Sequence, residues 1–220
     1  MLGKYAGHFD RSEELYNRAL DILADGQDDD AIATIYHNLG GLAHARGKHD
    51  AGEKWARHAV EIRTSLHGVD DLLTLSDKSA WAALLEDCGR LDEARAILHE
   101  CLNGFRKKLG PRDYEVAVTL HNLAAICHKK ERWQLAESYY RESLEIKREV
   151  LGGDHPDCAV TLINLASLLA RQCRVPSAKD RYREAVRILS GQVADTHPHL
   201  MAAQSGLDDM NKQPSCNCSG

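Results

Sequence analysis

Apolar and small residues follow one another along this chain at spacings of three and four, in blocks that short polar turns separate. A spacing near 3.6 residues is typical of an amphipathic helix whose apolar stripe packs against a neighbour. The pattern predicts pairs of helices, and the first helix of each pair is expected at about 31–46, 73–88, 115–130, 157–172 and 199–211. The second helices are expected at about 10–24, 50–66, 92–108, 134–150 and 176–190.

The helix pairs repeat at a constant interval along the chain. Four matching segments begin at positions 37, 79, 121 and 163, with the sequences "HNLGGLAHARG", "SAWAALLEDCG", "HNLAAICHKKE" and "INLASLLARQC". Small residues recur where two helices are expected to cross, because helices approach closely only over small side chains. These columns are Gly40, Ala82, Ala124 and Ala166; Ser12, Gly52, Ala94, Ala136 and Ala178; and Ala19, Ala59, Cys101, Ser143 and Ala185. Stacked units of this kind form a solenoid.

The repeat also has departures. Ala80 stands where the other three units have asparagine, and Glu131 and Cys173 stand where the first two units have the turn glycines Gly47 and Gly89.

The chain resembles the tetratricopeptide-repeat (TPR) proteins, and its 42-residue unit is similar to that of kinesin light chains. The stretch "LGGDHPDCAVTLINLASLLARQCRVPSAKDRYREAVRI" carries the likeness best. The resemblance implies an all-α, right-handed α-α superhelix (a TPR solenoid) of antiparallel helix pairs. The expected organisation is a single solenoid over 1–212, with a partial repeat at 5–27, full repeats at 28–70, 71–112, 113–154 and 155–196, a terminal capping helix at 197–212, and a disordered tail at 213–220.

One polar pattern occurs twice, two repeats apart, as His37, Asn38 and His44 and as His121, Asn122 and His128. By the resemblance, first helices line a concave groove, and these residues fall on its side. Asparagine both donates and accepts hydrogen bonds, so a ladder of asparagines would hold the backbone of an extended peptide. The predicted ligand-binding residues are His37, Asn38, Gly41, His44, Ser79, Glu86, His121, Asn122, Ala125, His128, Lys129, Asn164, Ser167 and Arg171.

The favoured function is therefore a non-enzymatic scaffold or adaptor that holds a peptide or protein segment in the groove. Three alternatives stay open. The asparagines bond neighbouring turns and tune packing, the chain self-associates through open solenoid ends, or the groove histidines serve an enzyme or a metal. A metal is disfavoured because His37 and His44 lie about 10.5 Å apart along a helix axis, too far for one ion.

The composition of the chain limits the kinds of partner and the cellular location that we expect. The net charge is −5 with both signs interspersed, which indicates neither a nucleic-acid footprint nor a basic membrane-binding patch. No apolar run is long enough for a membrane span and no signal core begins the chain, so a cytoplasmic protein is expected. The chain has seven cysteines, of which the first five are scattered and none forms a C-x-x-C pair, and this suggests reduced thiols. No catalytic or cofactor motif stands out, so we expect no cofactor, no metal and no catalytic residue.

Overall fold

The structure, a computed structural model, describes residues 2–23 and 28–212. Ten helices occupy these residues: α1 (Leu2–Leu23), α2 (Asp29–Ala45), α3 (His49–His67), α4 (Leu72–Asp87), α5 (Leu91–Leu109), α6 (Tyr114–Lys129), α7 (Trp133–Leu151), α8 (Pro156–Arg171), α9 (Val175–Leu189) and α10 (Pro198–Lys212). The all-α prediction is confirmed. The predicted disordered tail at 213–220 lies outside the described residues.

Every predicted helix boundary lies within two residues of the observed one, except the start of α1. That helix begins at Leu2 instead of at about residue 10, so the prediction was wrong there. Residues 2–9 contain no proline and no Ser, Thr, Asp or Asn, so no strong stop or N-cap interrupts the helix.

The first helices begin with a recurring N-cap. Asp71, Asp113 and His155 occupy the same position in successive repeats, and each side chain accepts a hydrogen bond from the backbone N–H two residues on, at 2.9, 2.8 and 3.2 Å. His197 does the same at the start of α10, at 3.3 Å. The two His-Pro turns are therefore scaffold, because their histidines take the place of the capping aspartates.

The turn inside each helix pair passes through one left-handed residue. The φ angle is +70° at Gly47 and +78° at Gly89, and it is +57° at both Glu131 and Cys173. A side chain with a Cβ is strained in this conformation by about 1–2 kcal/mol. The structure therefore confirms that Glu131 and Cys173 replace turn glycines.

The chain divides into two compact units, unit 1 (Met1–Lys108) and unit 2 (Leu109–Gly220). In unit 1, α1 packs on α2, and α3 packs on both α2 and α4. Leu39, Leu84 and Phe105 are buried in its core. Gly52 of α3 lies so close to α2 that a Cβ on it would be 3.2 Å from the carbonyl oxygen of Gly40.

Unit 2 contains the pairs α6–α7 and α8–α9, with α10 packed on α8 and α9. Tyr140, Leu165 and Leu200 belong to one continuous apolar core. A Cβ on Gly206 of α10 would collide with the ring of Tyr182, so this glycine allows α10 to dock on α9.

The small-residue columns are buried as predicted wherever they lie between α2 and α9. The alanines and Cys101 and Ser143 of these columns are fully buried. Only Ser12 and Ala19, in α1, remain partly exposed. Close helix crossings therefore recur at the positions that the repeat indicated.

Most of the described cysteines are packing residues. Burial raises the pKa of the Cys101 thiol to about 12, and Cys127 and Cys158 are also buried. The expectation of reduced thiols is wrong for Cys173, which is disulfide-bonded. Cys173 lies in a partly exposed turn, where its sulfur is accessible to a second cysteine.

Among the described helices, none has both the length and the apolar character that crossing a membrane requires.

Candidate functional site

Within each unit, the first helices are neighbours and share one side, called here the first-helix face. In unit 1, α2 contacts α4, and this face includes Asn38, Gly41 and His44. In unit 2, α8 contacts both α6 and α10, and the face includes Asn122 and Arg171.

His37 of unit 1 belongs to a polar network. Its Nδ1 lies 2.7 Å from Oδ1 of Asp77. Asp77 is 3% exposed and Arg63 is 5% exposed, and Arg63 Nε lies 2.6 Å from Asp77 Oδ2. Arg63 also donates to Asp30 and Thr34, at 2.8 and 2.7 Å. A buried charge is stable only when such partners surround it. The His37 ring therefore ties α2 to α4.

His44 meets a carboxylate of the next first helix. Its Nε2 lies 2.9 Å from Oδ2 of Asp87, and Nδ1 of His49 lies 3.3 Å from the same oxygen. Within residues 2–23 and 28–212, no group of three or more His, Cys, Asp or Glu side chains is arranged to hold a metal ion. The geometry thus pairs these histidines with Asp87.

The α4 positions in the predicted groove are mostly covered. Ser79 is only 8% exposed. Glu86 is partly buried and is engaged by a neighbouring group. These two residues present little free surface to a ligand.

Asn38 is the open polar position of unit 1. Its side chain is partly exposed, and no hydrogen-bond partner for it lies in the described part of the chain. Gly41 lies one turn further on, is exposed, and would meet no atom within 4 Å if it carried a Cβ. The face therefore offers a free amide beside open space.

His121 of unit 2 is enclosed by hydrogen bonds. Its Nδ1 lies 3.1 Å from Thr161 Oγ1, and its Nε2 accepts from Asn164 Nδ2 at 3.0 Å. The ring packs edge-on against Tyr140, with centroids 5.4 Å apart. Burial lowers the pKa of His121 to about 3, and the positive charge of Lys147 acts in the same direction. His121 is therefore a neutral imidazole, and the network assigns its proton to Nδ1.

Lys147 completes this network. It is 5% exposed, and its Nζ donates to Thr161 Oγ1 at 3.1 Å. Thr161 donates in turn to the carbonyl of Asp157 at 3.3 Å, and the Tyr114 hydroxyl donates to the Asp157 carboxylate. Burial lowers the pKa of Lys147, and the charge of Asp157 opposes that shift. His121 and Asn164 thus link α6 to α8 over a buried lysine.

The two networks occupy equivalent positions, two repeats apart: His37, Arg63 and Asp77 in unit 1, and His121, Lys147 and Thr161 in unit 2. Sequence reasoning missed Arg63 and Lys147, because it treated the second helices as outer packing elements. A signal was present, since both basic residues fall in a column that is otherwise apolar, with Phe105 and Leu189.

The open part of the unit 2 face lies around Asn122. This side chain is partly exposed, and no partner for it lies among the described residues. Ala125 follows on the same side. The His128 ring packs edge-on against Trp133, with centroids 5.6 Å apart. Burial lowers the pKa of His128, and the nearby charge of Arg171 adds to this. The free amide of Asn122 thus lies beside the small residue Ala125, on a face that also carries the positive charge of Arg171.

Three other predicted residues of unit 2 already have partners. Asn164 bonds His121, Ser167 hydrogen-bonds the Tyr182 hydroxyl, and the exposed Lys129 contacts a neighbouring group. The face therefore combines occupied polar groups with a few free ones. A free amide that donates and accepts can bind the main chain of an extended segment.

Paired helices that recur at a constant interval define an all-α repeat protein of the solenoid class. The tetratricopeptide repeat family matches residues 78–149 and 115–190, and a second tetratricopeptide repeat description matches residues 32–72. Since the first description alone covers 78–190, more than half of the chain, this chain belongs to the tetratricopeptide-repeat family.

Solved structures show the same fold. BtubC (BKLC) from P. vanneervenii is 24% identical with a TM-score of 0.73, over 96% of this chain and 84% of that one. Nearly identical TPR-like repeats from a Podosopora anserina putative kinesin light chain are 18% identical, with a TM-score of 0.67, over 84% of this chain and 87% of that one. A Rap protein complexed with competence and sporulation factor is 14% identical, with a TM-score of 0.74, over 96% of this chain and 62% of that one.

A curated relative is a TPR repeat-containing protein of Dictyostelium discoideum, 24% identical over 140 residues. The match covers 63% of this chain and 8% of the length of that relative.

Proposed function

We propose that this chain is a non-enzymatic binding module that holds an extended peptide or protein segment against its first-helix faces. The observation that carries this proposal is the pair of unengaged amides, Asn38 and Asn122. They occupy equivalent positions on α2 and α6, are partly exposed, and adjoin the small residues Gly41 and Ala125. Support also comes from a protein of the same fold, the Rap protein solved with competence and sporulation factor.

The proposed contact is main-chain recognition. An extended segment has unpaired N–H and C=O groups, and one asparagine amide can engage one of each. Each such bond contributes about 0.5–1.5 kcal/mol net. Asn38 and Asn122 therefore each hold a backbone in their own unit without reading its sequence, and selectivity comes from the flanking charges. In unit 2 the flank carries the positive charge of Arg171, which lies near His128 and favours an acidic side chain at that end.

Not every predicted residue contacts the ligand in this proposal. His121 and Asn164 bond each other, so we assign them the spacing of α6 and α8. His37 has the corresponding role between α2 and α4.

The test compares partners captured by the parent, by an Asn38→Ala/Asn122→Ala double variant, and by Asn103→Ala. Asn103 is an exposed asparagine on the second helix α5 and serves as the matched control. Circular dichroism first establishes equal helicity. We expect a partner that the parent and the control retain and the double variant loses. Identical partners on all three proteins would refute the assignment to the first-helix faces.

A specific observation favours self-association as a second candidate. Leu15 and Ile22 of α1 are 53% and 74% exposed and lie two helical turns apart on one side. Light scattering over a range of concentrations tests this, with Leu15→Ser/Ile22→Ser against Leu135→Ser of α7 as the control. A parent that is monomeric at every concentration removes this candidate.

A further inference from the structure

We propose a redox-sensitive link in unit 2: a disulfide between Cys173, in the turn between α8 and α9, and one of the two cysteines of the segment 213–220, Cys216 or Cys218. When the thiols are oxidised, the link fastens the chain that follows α10 to the start of α9. When they are reduced, it releases that chain. The link is independent of the first-helix face and does not rest on the function proposed above.

The partner of Cys173 follows from the state of the other cysteines. Cys173 is disulfide-bonded. The four other cysteines of the described residues are all free: Cys88, Cys101, Cys127 and Cys158. The sequence has seven cysteines, so the two that remain are Cys216 and Cys218, outside the described residues. Within one chain, only these two are left to supply the second sulfur.

The direction of α10 brings its end to the turn that contains Cys173. His199, in the first turn of α10, interacts electrostatically with Asp157, in the first turn of α8. The two helices therefore begin at the same end of unit 2, and they pack on each other. Since α8 ends at Arg171, two residues before Cys173, the last turn of α10 lies at the Cys173 end of the unit.

A second contact fixes how far α10 extends. Gly206 of α10 lies against the ring of Tyr182 of α9. Tyr182 follows the start of α9 at Val175 by seven residues, which is about 10.5 Å along the helix. Lys212, the last residue of α10, follows Gly206 by six residues, which is about 9 Å. The end of α10 is therefore roughly level with the start of α9.

The chain beyond α10 is long enough to cross to Cys173. The axes of packed helices lie about 8–10 Å apart, and an extended chain spans up to about 3.3–3.6 Å per residue. Cys216 follows Lys212 by four residues, which allows about 13 Å, and Cys218 follows it by six, which allows about 20 Å. Either cysteine can therefore reach the sulfur of Cys173, which is why we assign the link to the pair.

The turn itself gives no reason for a cysteine at position 173. Its φ angle is +57°, in the left-handed region, whereas the same turn position has glycine at Gly47 and Gly89. The side chain is also partly exposed, unlike the buried Cys101 and Cys127. Neither backbone freedom nor core packing therefore favours this residue. A covalent bond to a nearby segment gives it a role that the turn does not.

The exposure of Cys173 makes the bond reversible, because a thiolate in solution can approach an exposed disulfide. Oxidised glutathione is a sufficient oxidant. One protein thiolate attacks it, forms a mixed disulfide and expels one glutathione thiolate. The second protein thiolate then attacks the protein sulfur of the mixed disulfide and expels the other. Two protein thiols thus lose two protons and two electrons, and two molecules of reduced glutathione form. Excess reduced glutathione drives the reverse reaction.

The link acts on the weakly held end of α10. Leu200 and Ala203, near its start, are 1% and 0% exposed, whereas the last two residues, Asn211 and Lys212, are exposed. A helix end with few buried contacts opens more often than the core. A disulfide just beyond it restrains that opening. Oxidation should therefore protect the end of α10, and reduction should release it.

Peptide mapping tests the pairing. The full chain is incubated with excess oxidised glutathione, free thiols are blocked with iodoacetamide, and trypsin then releases the peptides 172–174 and 213–220. We expect mass spectrometry to find these two peptides joined. The Cys216→Ser/Cys218→Ser variant should have no such product. Cys88→Ser is the matched control, because Cys88 is a partly exposed free cysteine of unit 1, and it should keep the link.

Hydrogen exchange over residues 207–212 tests the consequence. For the parent and for Cys88→Ser, exchange should be about ten-fold faster in reduced than in oxidised glutathione. Cys173→Ser should exchange at the fast rate in both. Circular dichroism should show equal helicity for the three proteins, which separates release of the helix end from general unfolding.

Four results would overturn the proposal. They are a Cys173 that carries only iodoacetamide or glutathione after oxidation, a link that joins two chains, a link that persists in excess reduced glutathione, and exchange rates that are equal in the two conditions. The third result would indicate a permanent structural bond in place of a reversible one.

Discussion

Replacing Gly52 with alanine would add one methyl group at the closest approach of α2 and α3. The new Cβ would lie 2.8 Å from Cδ2 of Leu84, 3.1 Å from Cβ of Ala43 and 3.2 Å from the carbonyl oxygen of Gly40. Carbon atoms in contact are normally about 3.5–4.0 Å apart. The end of Leu84 can turn aside, but the other two atoms are fixed to α2. The two helices must therefore separate by a few tenths of an ångström.

The expected magnitude follows from two opposing effects. Overpacking of this kind costs about 1–3 kcal/mol, and alanine is favoured over glycine inside a helix by about 0.8–1.0 kcal/mol. The free energy of unfolding should therefore fall by about 1 kcal/mol, the balance of these ranges. Gly41 is the matched control, because a Cβ there meets no atom within 4 Å. Gly41→Ala should raise the free energy of unfolding by about 0.5–1 kcal/mol.

Urea unfolding followed by circular dichroism measures both variants against the parent. The same chemical change should move the midpoint in opposite directions at the two positions, with an unchanged slope. If Gly52→Ala were as stable as Gly41→Ala, the α2–α3 crossing would have room for a Cβ, and the small-residue column would not be required for close packing.

Three further predictions concern single residues. The folded pKa of His121, about 3, lies below its unfolded value of about 6.5, so the unfolded state binds more protons between these values. The free energy of unfolding should therefore drop by about 2 kcal/mol between neutral pH and pH 5. Denaturant titrations at both pH values should show a smaller drop for His121→Gln than for the parent. Equal drops would contradict the burial of this ring. Glu131→Gly should raise the melting temperature, because glycine removes the backbone strain of a left-handed residue and so stabilises the fold by about 0.5–1 kcal/mol. An unchanged melting temperature would argue against strain at this turn. Asp77→Asn should cost about 3 kcal/mol in urea unfolding, because Arg63 loses its buried counter-charge and keeps only the half-exposed Asp30. Asp70→Asn, at an exposed position, should be neutral.

The helices and their crossings were predictable because they depend on local rules. The 3.6-residue period gave boundaries within two residues for nearly all helices, and the columns containing Gly40 and Ala59 marked the close approaches. The start of α1 was not predictable from the repeat, because the pattern there is incomplete. Where one helix ends depends on the stop signals near it, and residues 2–9 contain none that is strong.

The candidate site was only partly predictable. Spacing placed Asn38 and Asn122 on the exposed side of their helices, and both are partly exposed there. Spacing did not reveal that His121 bonds Asn164, or that His37 bonds Asp77. Those partners lie a whole repeat away along the chain, so they depend on how one repeat packs on the next. A prediction made from the residues of a single helix cannot include such contacts.

The alternation of the two buried networks has a consequence for how the chain avoids misassembly. Repeat proteins can misfold when a helix pairs with the counterpart of its proper neighbour in another repeat, because the apolar surfaces are nearly interchangeable. Here the polar positions differ: Arg63 meets an aspartate and Lys147 meets a threonine, while the repeat between them has Phe105. A mismatched pairing would bury an uncompensated charge, at a cost of several kcal/mol. The networks therefore favour the correct neighbour for each helix that carries one of these polar residues.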